Sequence, residues 1–312
     1  MKDWKIPLSD SPYSPFSALL RFALLVIAAA FVGQFVVFIA LLPLSNYDFN
    51  EVTNVLQAAM GSQPDKKVLL IAQGITATFT FILAPLAYIK WVEKKDISEV
   101  LVKRDHFSIP PLFLMVLFML FMGPALQALV EWNEAFVFPE SLKDLEAWFK
   151  EKEANAMRLT EGMLEFTSFG DFLFSFFVIA VLAGVGEEIV FRGLLQPLFY
   201  RITKNMHVAI WLTAFIFSAI HFQFYGFFPR MLLGAVFGYF YWWSKDIRYP
   251  ILAHIFNNGY MVIMTYVAGF DPIEKAMEEN TELSLLSIGI SIVVSSLILL
   301  FFRKNFKNSL NV

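Results

Sequence analysis

The stretch Phe177-Val-Ile-Ala-Val-Leu-Ala-Gly-Val-Gly-Glu187-Glu188-Ile-Val-Phe-Arg192-Gly-Leu-Leu195 decides how this chain is read. Its apolar residues continue on both sides, and a membrane-spanning helix needs about 20 of them. Yet two adjacent carboxylates and a guanidinium sit inside it. A charged side chain at the bilayer centre costs about 2.5–3.5 kcal/mol on insertion scales, so such residues are candidates for function by default.

The surrounding chain fits that reading. Of its 312 residues, 58% are hydrophobic and 16% charged, with a mean hydropathy of +0.61. A soluble domain has about 45–50% apolar and about 25% charged residues. The expected fold class is therefore all-α, a polytopic transmembrane helical bundle of about eight spans. The eight apolar segments are 18–44, 68–89, 112–130, 172–200, 208–222, 231–243, 251–270 and 283–302. The fifth and sixth are short and need tilt or a thin local bilayer to span. Residues 1–17 are polar, and the run after them is too long for a signal-peptide core, so it reads as a retained first span.

Charge and cysteine narrow the function. The net charge is −3 and no basic tract is long enough to bind nucleic acid. With no cysteine, disulfides, thiolate metal sites and a cysteine nucleophile all drop out. Lys and Arg mark every second connection: Lys2 and Lys5; Lys90, Lys94, Lys95, Lys103 and Arg104; Arg201 and Lys204; Lys245 and Arg248; Arg303, Lys304 and Lys307. The connection before the last span is acidic instead, with Asp271, Glu274, Glu278, Glu279 and Glu282. By the positive-inside rule, both termini face the cytoplasm, and the expected location is the plasma membrane. Three regions follow: 1–170, three spans with a long extracytoplasmic loop at 131–170; 171–270, a four-span core; and 271–312, the last span and tail. Within the loop, Ser141 reads as a helix N-cap. Leu142, Leu145 and Phe149 then repeat at helical spacing, giving either a surface helix against the bundle or a lid that guides substrate.

The in-span polar residues form a small set. Glu188 and Arg192 are four apart, share a helix face and can pair. Glu187 lies about 100° around the helix and is the carboxylate left over. A structural ion cluster is the plain alternative for this patch. His106 and His207 lie beside basic loops and are expected to be solvated. His221 and His254 lie in or at the end of apolar segments. Asn258, four residues after His254, projects from the same face. Phe217 stands one turn before His221, as a packing residue. Glu187, Glu188, Arg192, His221, His254 and Asn258 are the inward polar set. A carboxylate can take a proton from water, imidazoles can orient that water, and a carboxamide can donate to an oxyanion. No His-Glu-x-x-His or Gly-x-Ser-x-Gly motif is present.

Three motifs occur in order: Glu187-Glu188-Ile-Val-Phe-Arg192, Phe217-Ser-Ala-Ile-His221 and His254-Ile-Phe-Asn-Asn258. This series resembles the CPBP family of intramembrane endopeptidases, which includes the type II CAAX prenyl proteases and the bacteriocin-processing or immunity (Abi) proteins. The likeness covers about residues 185–259. It implies proteolysis of a membrane-associated or lipidated peptide or protein at the bilayer. In the family the residue at Glu187 activates water with help from the one at His221. Those at His254 and Asn258 stabilise the oxyanion, and Glu188 and Arg192 complete the first motif. The residues permit a divalent metal such as zinc, through His221, His254 and Glu187, and do not demand one. Two other readings stay open: a membrane binding or immunity protein without turnover, and a proton-coupled transporter. Counted at 1.5 Å per residue, His221 comes out deeper than Glu187 and His254 by something on the order of 10 Å. Closing the site therefore requires the fifth and sixth segments to tilt or to form a shallow hairpin, with Gly226 and Pro229 providing the break.

Overall fold

The computed structural model describes residues 7–61, 65–102, 107–269 and 284–308. Lys2, Lys5, Lys103, Arg104, His106 and the acidic run from Asp271 to Glu282 lie outside the described residues. The architecture is an all-α bundle; among the described residues the sole β contact is an isolated bridge between Val102 and Asp246. Among the described residues twelve helices follow in order. They are α1 (Pro15–Leu41), α2 (Phe49–Ala59), α3 (Lys66–Val92), α4 (Ile97–Leu101), α5 (Ile109–Phe121) and α6 (Gly123–Glu134). Then come α7 (Lys143–Met163), α8 (Phe169–Thr203), α9 (Met206–Ala219), α10 (Phe227–Ser244), α11 (Arg248–Ala268) and α12 (Leu285–Asn308).

Each of the eight apolar segments is largely helical where described, with Met122 and residues 220–222 in turns. Five helices are long and apolar enough to cross a bilayer, and a sixth qualifies if α5 and α6, bent by 44°, form one span. This is an integral membrane protein. The bend has a local cause. Pro124 cannot donate a backbone hydrogen bond, and the Ser291 hydroxyl from α12 is inserted into the helix ladder. It accepts from the Ala125 N–H at 3.1 Å and donates to the Phe121 carbonyl at 2.7 Å. A hydroxyl in the ladder bends a helix while leaving no backbone group bare.

The fifth and sixth segments are α9 and α10, and they do form a short hairpin. Gly226 precedes the first residue of α10, and Pro229 sits in its first turn, where the missing N–H costs nothing. Two side chains fasten the hairpin. The Ser218 hydroxyl donates to the Phe227 carbonyl at 2.6 Å, and Asn133, at the end of α6, accepts from the Phe228 N–H at 3.2 Å.

Ser141 does not cap α7. It lies inside a 3-10 turn, Glu140–Leu142, and Leu142 occupies the cap position without a side-chain cap bond. The helix itself is a surface helix, with Leu142 and Leu145 exposed. It rests on the α9–α10 turn, where Phe149 packs against Phe224 with ring centroids 5.1 Å apart.

Candidate active site

The site is built where α8, α9, α10 and α11 meet. Helix α8 is not uniform. Glu187 and Glu188 end a short α-helical stretch, Ala183–Glu188, between π-helical turns at Phe176–Leu182 and Ile189–Leu195. Wide turns of this kind within a helix recur at functional sites because they re-aim side chains. Gly184 lets α11 approach closely: a Cβ there would lie 2.9 Å from Ile255 Cγ1 and 3.1 Å from its backbone nitrogen.

That approach brings α11's histidine onto α8's carboxylates. Glu188 Oε1 accepts from Arg192 Nη1 at 2.7 Å and from His254 Nδ1 at 2.8 Å. Arg192 also donates through Nη2 to the Gly234 carbonyl of α10 at 2.6 Å. The Glu188 and Arg192 side chains are both 0% exposed, so this is a sealed, charged strut tying α8 to α10 and α11. Phe217 and Phe237 line it, their ring centroids 5.3 Å and 5.6 Å from the Arg192 guanidinium carbon.

Glu187 is placed differently. Its Oε2 is 3.6 Å from His254 Nε2, too long for a hydrogen bond. Its side chain keeps 16% of its exposure, against none for Glu188, so solvent reaches one carboxylate of the pair and not the other. His254 is thus held at Nδ1 by the sealed glutamate and presents Nε2 towards the open one. Such a partner on one ring nitrogen sets the tautomer and aims the other.

His221 joins the group through Phe217. Its Nδ1 donates to the Phe217 carbonyl at 2.7 Å, which leaves the lone pair on Nε2. The Phe217 ring lies between the two imidazoles, with centroids 5.2 Å from His221 and 5.8 Å from His254. The short α9–α10 hairpin is what brings His221 to this level. Asn258 sits one turn beyond His254. One of its amide N–H groups donates to the Ile179 carbonyl at 3.1 Å, and its oxygen accepts from Asn257 at 3.2 Å. His207, the other described histidine, is exposed and meets the Tyr239 hydroxyl at 2.7 Å, away from this cluster.

The site's segment also matches a known family. Residues 169–260 match the family model described as type II CAAX prenyl endopeptidase Rce1-like. The match takes in all three motifs and supports a CAAX-type intramembrane protease. No curated protein and no solved structure matches the chain.

Among the charged residues of the matched segment that the motifs do not include, one bears on the site. Arg230, in the first turn of α10, donates through Nη2 to Gln223 Oε1 at 2.8 Å and interacts electrostatically with Glu187 and His221. It stands one residue before the sixth apolar segment, so a search confined to charges inside spans passes over it. As for a metal, no three His, Asp or Glu side chains are grouped as ligands among the described residues. His221, His254 and Glu187 do not converge as a ligand set in this conformation, and no chemical step is routed through a metal.

Proposed function

We propose that this protein is an intramembrane endopeptidase that cleaves a lipidated, CAAX-like protein or peptide with water activated by Glu187. The reading rests on one observation: of two adjacent glutamates, Glu188 is buried and locked by Arg192 and His254, while Glu187 stays partly exposed and faces His254 Nε2. Glu187 takes a proton from water, which His221 Nε2 helps to orient. The water oxygen bonds to the scissile carbonyl carbon. The remaining Asn258 N–H donates to the resulting oxyanion, with His254 beside it. Glu187 then passes its proton to the leaving nitrogen as the C–N bond breaks, giving a new carboxyl terminus and a new amino terminus.

In this reading the four-span core, 171–270, carries the chemistry, and the regions 1–170 and 271–312 flank it. Both termini face the cytoplasm of a plasma-membrane protein, as the Lys and Arg distribution indicates. The test is cleavage of a farnesylated peptide in ¹⁸O-enriched water, followed by mass spectrometry. Hydrolysis incorporates one ¹⁸O into the new carboxyl terminus. An intact peptide across a panel of lipidated substrates contradicts the proposal and favours a binding role.

A further inference from the structure

The cluster is packed on one side and accessible on the other. Towards the basic ends of the helices, residues 188–194 of α8 are all buried. The strut reaches the Gly234 carbonyl, and from there α10 runs ten residues, about 15 Å, to Ser244. In that stretch Phe237, Phe240 and Tyr241 are each 1% exposed, as is Gln196 on α8. Gln196 spends its amide N–H on the Gly238 carbonyl at 3.2 Å. This half of the core is a plug that leaves no room for a peptide.

The half towards α7 differs. Glu187 is partly exposed, and every residue from 219 to 228 keeps some exposure, His221 among them. Two residues past His221, Gln223 accepts from Arg230 Nη2 at 2.8 Å and donates to Glu153 of α7 at 3.0 Å. Gly226 makes room for this group: an added Cβ there would come 3.0 Å from Arg230 Nη2. Helix α7 lies across the turn, with the Trp148 ring 6.4 Å from that of Phe222. Ionisable side chains at membrane depth face water-filled space rather than lipid, and here such residues line only the α7 side.

Charge says which side of the membrane that is. At the plugged end, the stretches 90–102, 201–207, 245–248 and 303–308 hold ten basic residues in 30. At the α7 end, 42–67 and 131–171 hold six in 67, beside thirteen acidic ones. Lys and Arg are retained on the cytoplasmic side. The plug therefore faces the cytoplasm, and the open side faces out.

We propose that the active site takes its water and its substrate from the extracytoplasmic side, beneath α7, so that the enzyme cuts the outer juxtamembrane stretch of an exported polypeptide held by a lipid anchor in the outer leaflet. This deepens the protease reading and rests on it, and on the orientation stated with it. The chain has no cysteine, so single replacements give clean labels. Phe222→Cys stands one residue past His221 at a position 61% exposed, and Lys204→Cys stands at the basic end. In spheroplasts of a bacterial host, a membrane-impermeant maleimide should label Phe222→Cys and spare Lys204→Cys; sealed inverted vesicles should give the reverse. A lipidated, internally quenched peptide too highly charged to cross the bilayer is then added to both preparations of the wild type, with Glu187→Gln membranes as background. Cleavage is expected to be at least tenfold faster in spheroplasts, and detergent should abolish the difference. Faster cleavage in inverted vesicles overturns the inference and leaves the protease reading intact. Labelling of Phe222→Cys from the inner side alone overturns it too. No cleavage above background in either preparation or in detergent sinks the protease reading, and the inference with it.

Discussion

Replacing Arg192 with methionine should unfold this protein far more readily than its apolar surroundings suggest. The side chain is fully buried, and methionine has similar length and no charge. What is lost is the partner of Glu188. In the native structure Glu188 Oε1 accepts from Arg192 and His254, and Oε2 already has no partner. Without Arg192 the carboxylate keeps a single hydrogen bond in a site that excludes water, and the Gly234 carbonyl loses its donor. Breaking a buried ion pair by removing one member costs about 3–5 kcal/mol, because the other charge stays behind. That is roughly two to four powers of ten in the folded-to-unfolded ratio. Unfolding in mixed micelles with a rising fraction of denaturing detergent, followed by circular dichroism, measures it. The double variant Glu188→Gln/Arg192→Met removes both charges and should recover about 1 kcal/mol or more of the summed single losses. A loss below about 1 kcal/mol for Arg192→Met, or strict additivity in the double variant, would refute the account of the strut.

Other outcomes follow from the same contacts. Gly184→Val pushes α11 away from α8 and lengthens the Glu188–His254 contact, so kcat/KM for a lipidated peptide should fall at least about tenfold with helix content retained. Asn258→Ala should lower kcat by about 10²–10³-fold with KM nearly unchanged, which steady-state kinetics on the same peptide will show. Glu153→Gln should stabilise the fold at neutral pH. Burial raises the Glu153 carboxyl in the folded state, so its ionisation opposes folding as pH rises through the unfolded carboxylate range. The advantage of Glu153→Gln should therefore shrink as pH falls from neutral towards the unfolded carboxylate range at about 4, and melts from pH 4 to 7 will test the sign.

Much of this arrangement is legible from spacing alone. The four-residue interval between Glu188 and Arg192 foretells their pairing, because helix geometry places them on one face whatever surrounds them. Hydropathy marks the five helices long and apolar enough to cross a bilayer, where no water would satisfy an open backbone. The level of His221 is harder to read, because it depends on how short α9 is and on the turn after it. The cap of α7 was misplaced at Ser141: a 3-10 turn took those residues, and such local competition is invisible to a motif. Arg230 is missed for a different reason. Its importance comes from Gln223, Gly226 and Glu153 gathering around it, and Glu153 arrives from a helix about 80 positions earlier in the chain. Contacts of that range have no periodic signal.

The most direct measurement is the rate of peptide cleavage by Glu187→Gln beside wild type, in the same micelles and with folding verified. The amide keeps the shape of the side chain and cannot take a proton. The account predicts a fall in kcat of about 10²–10⁴-fold, with the lipidated peptide still bound. Cleavage at the wild-type rate by Glu187→Gln would contradict it.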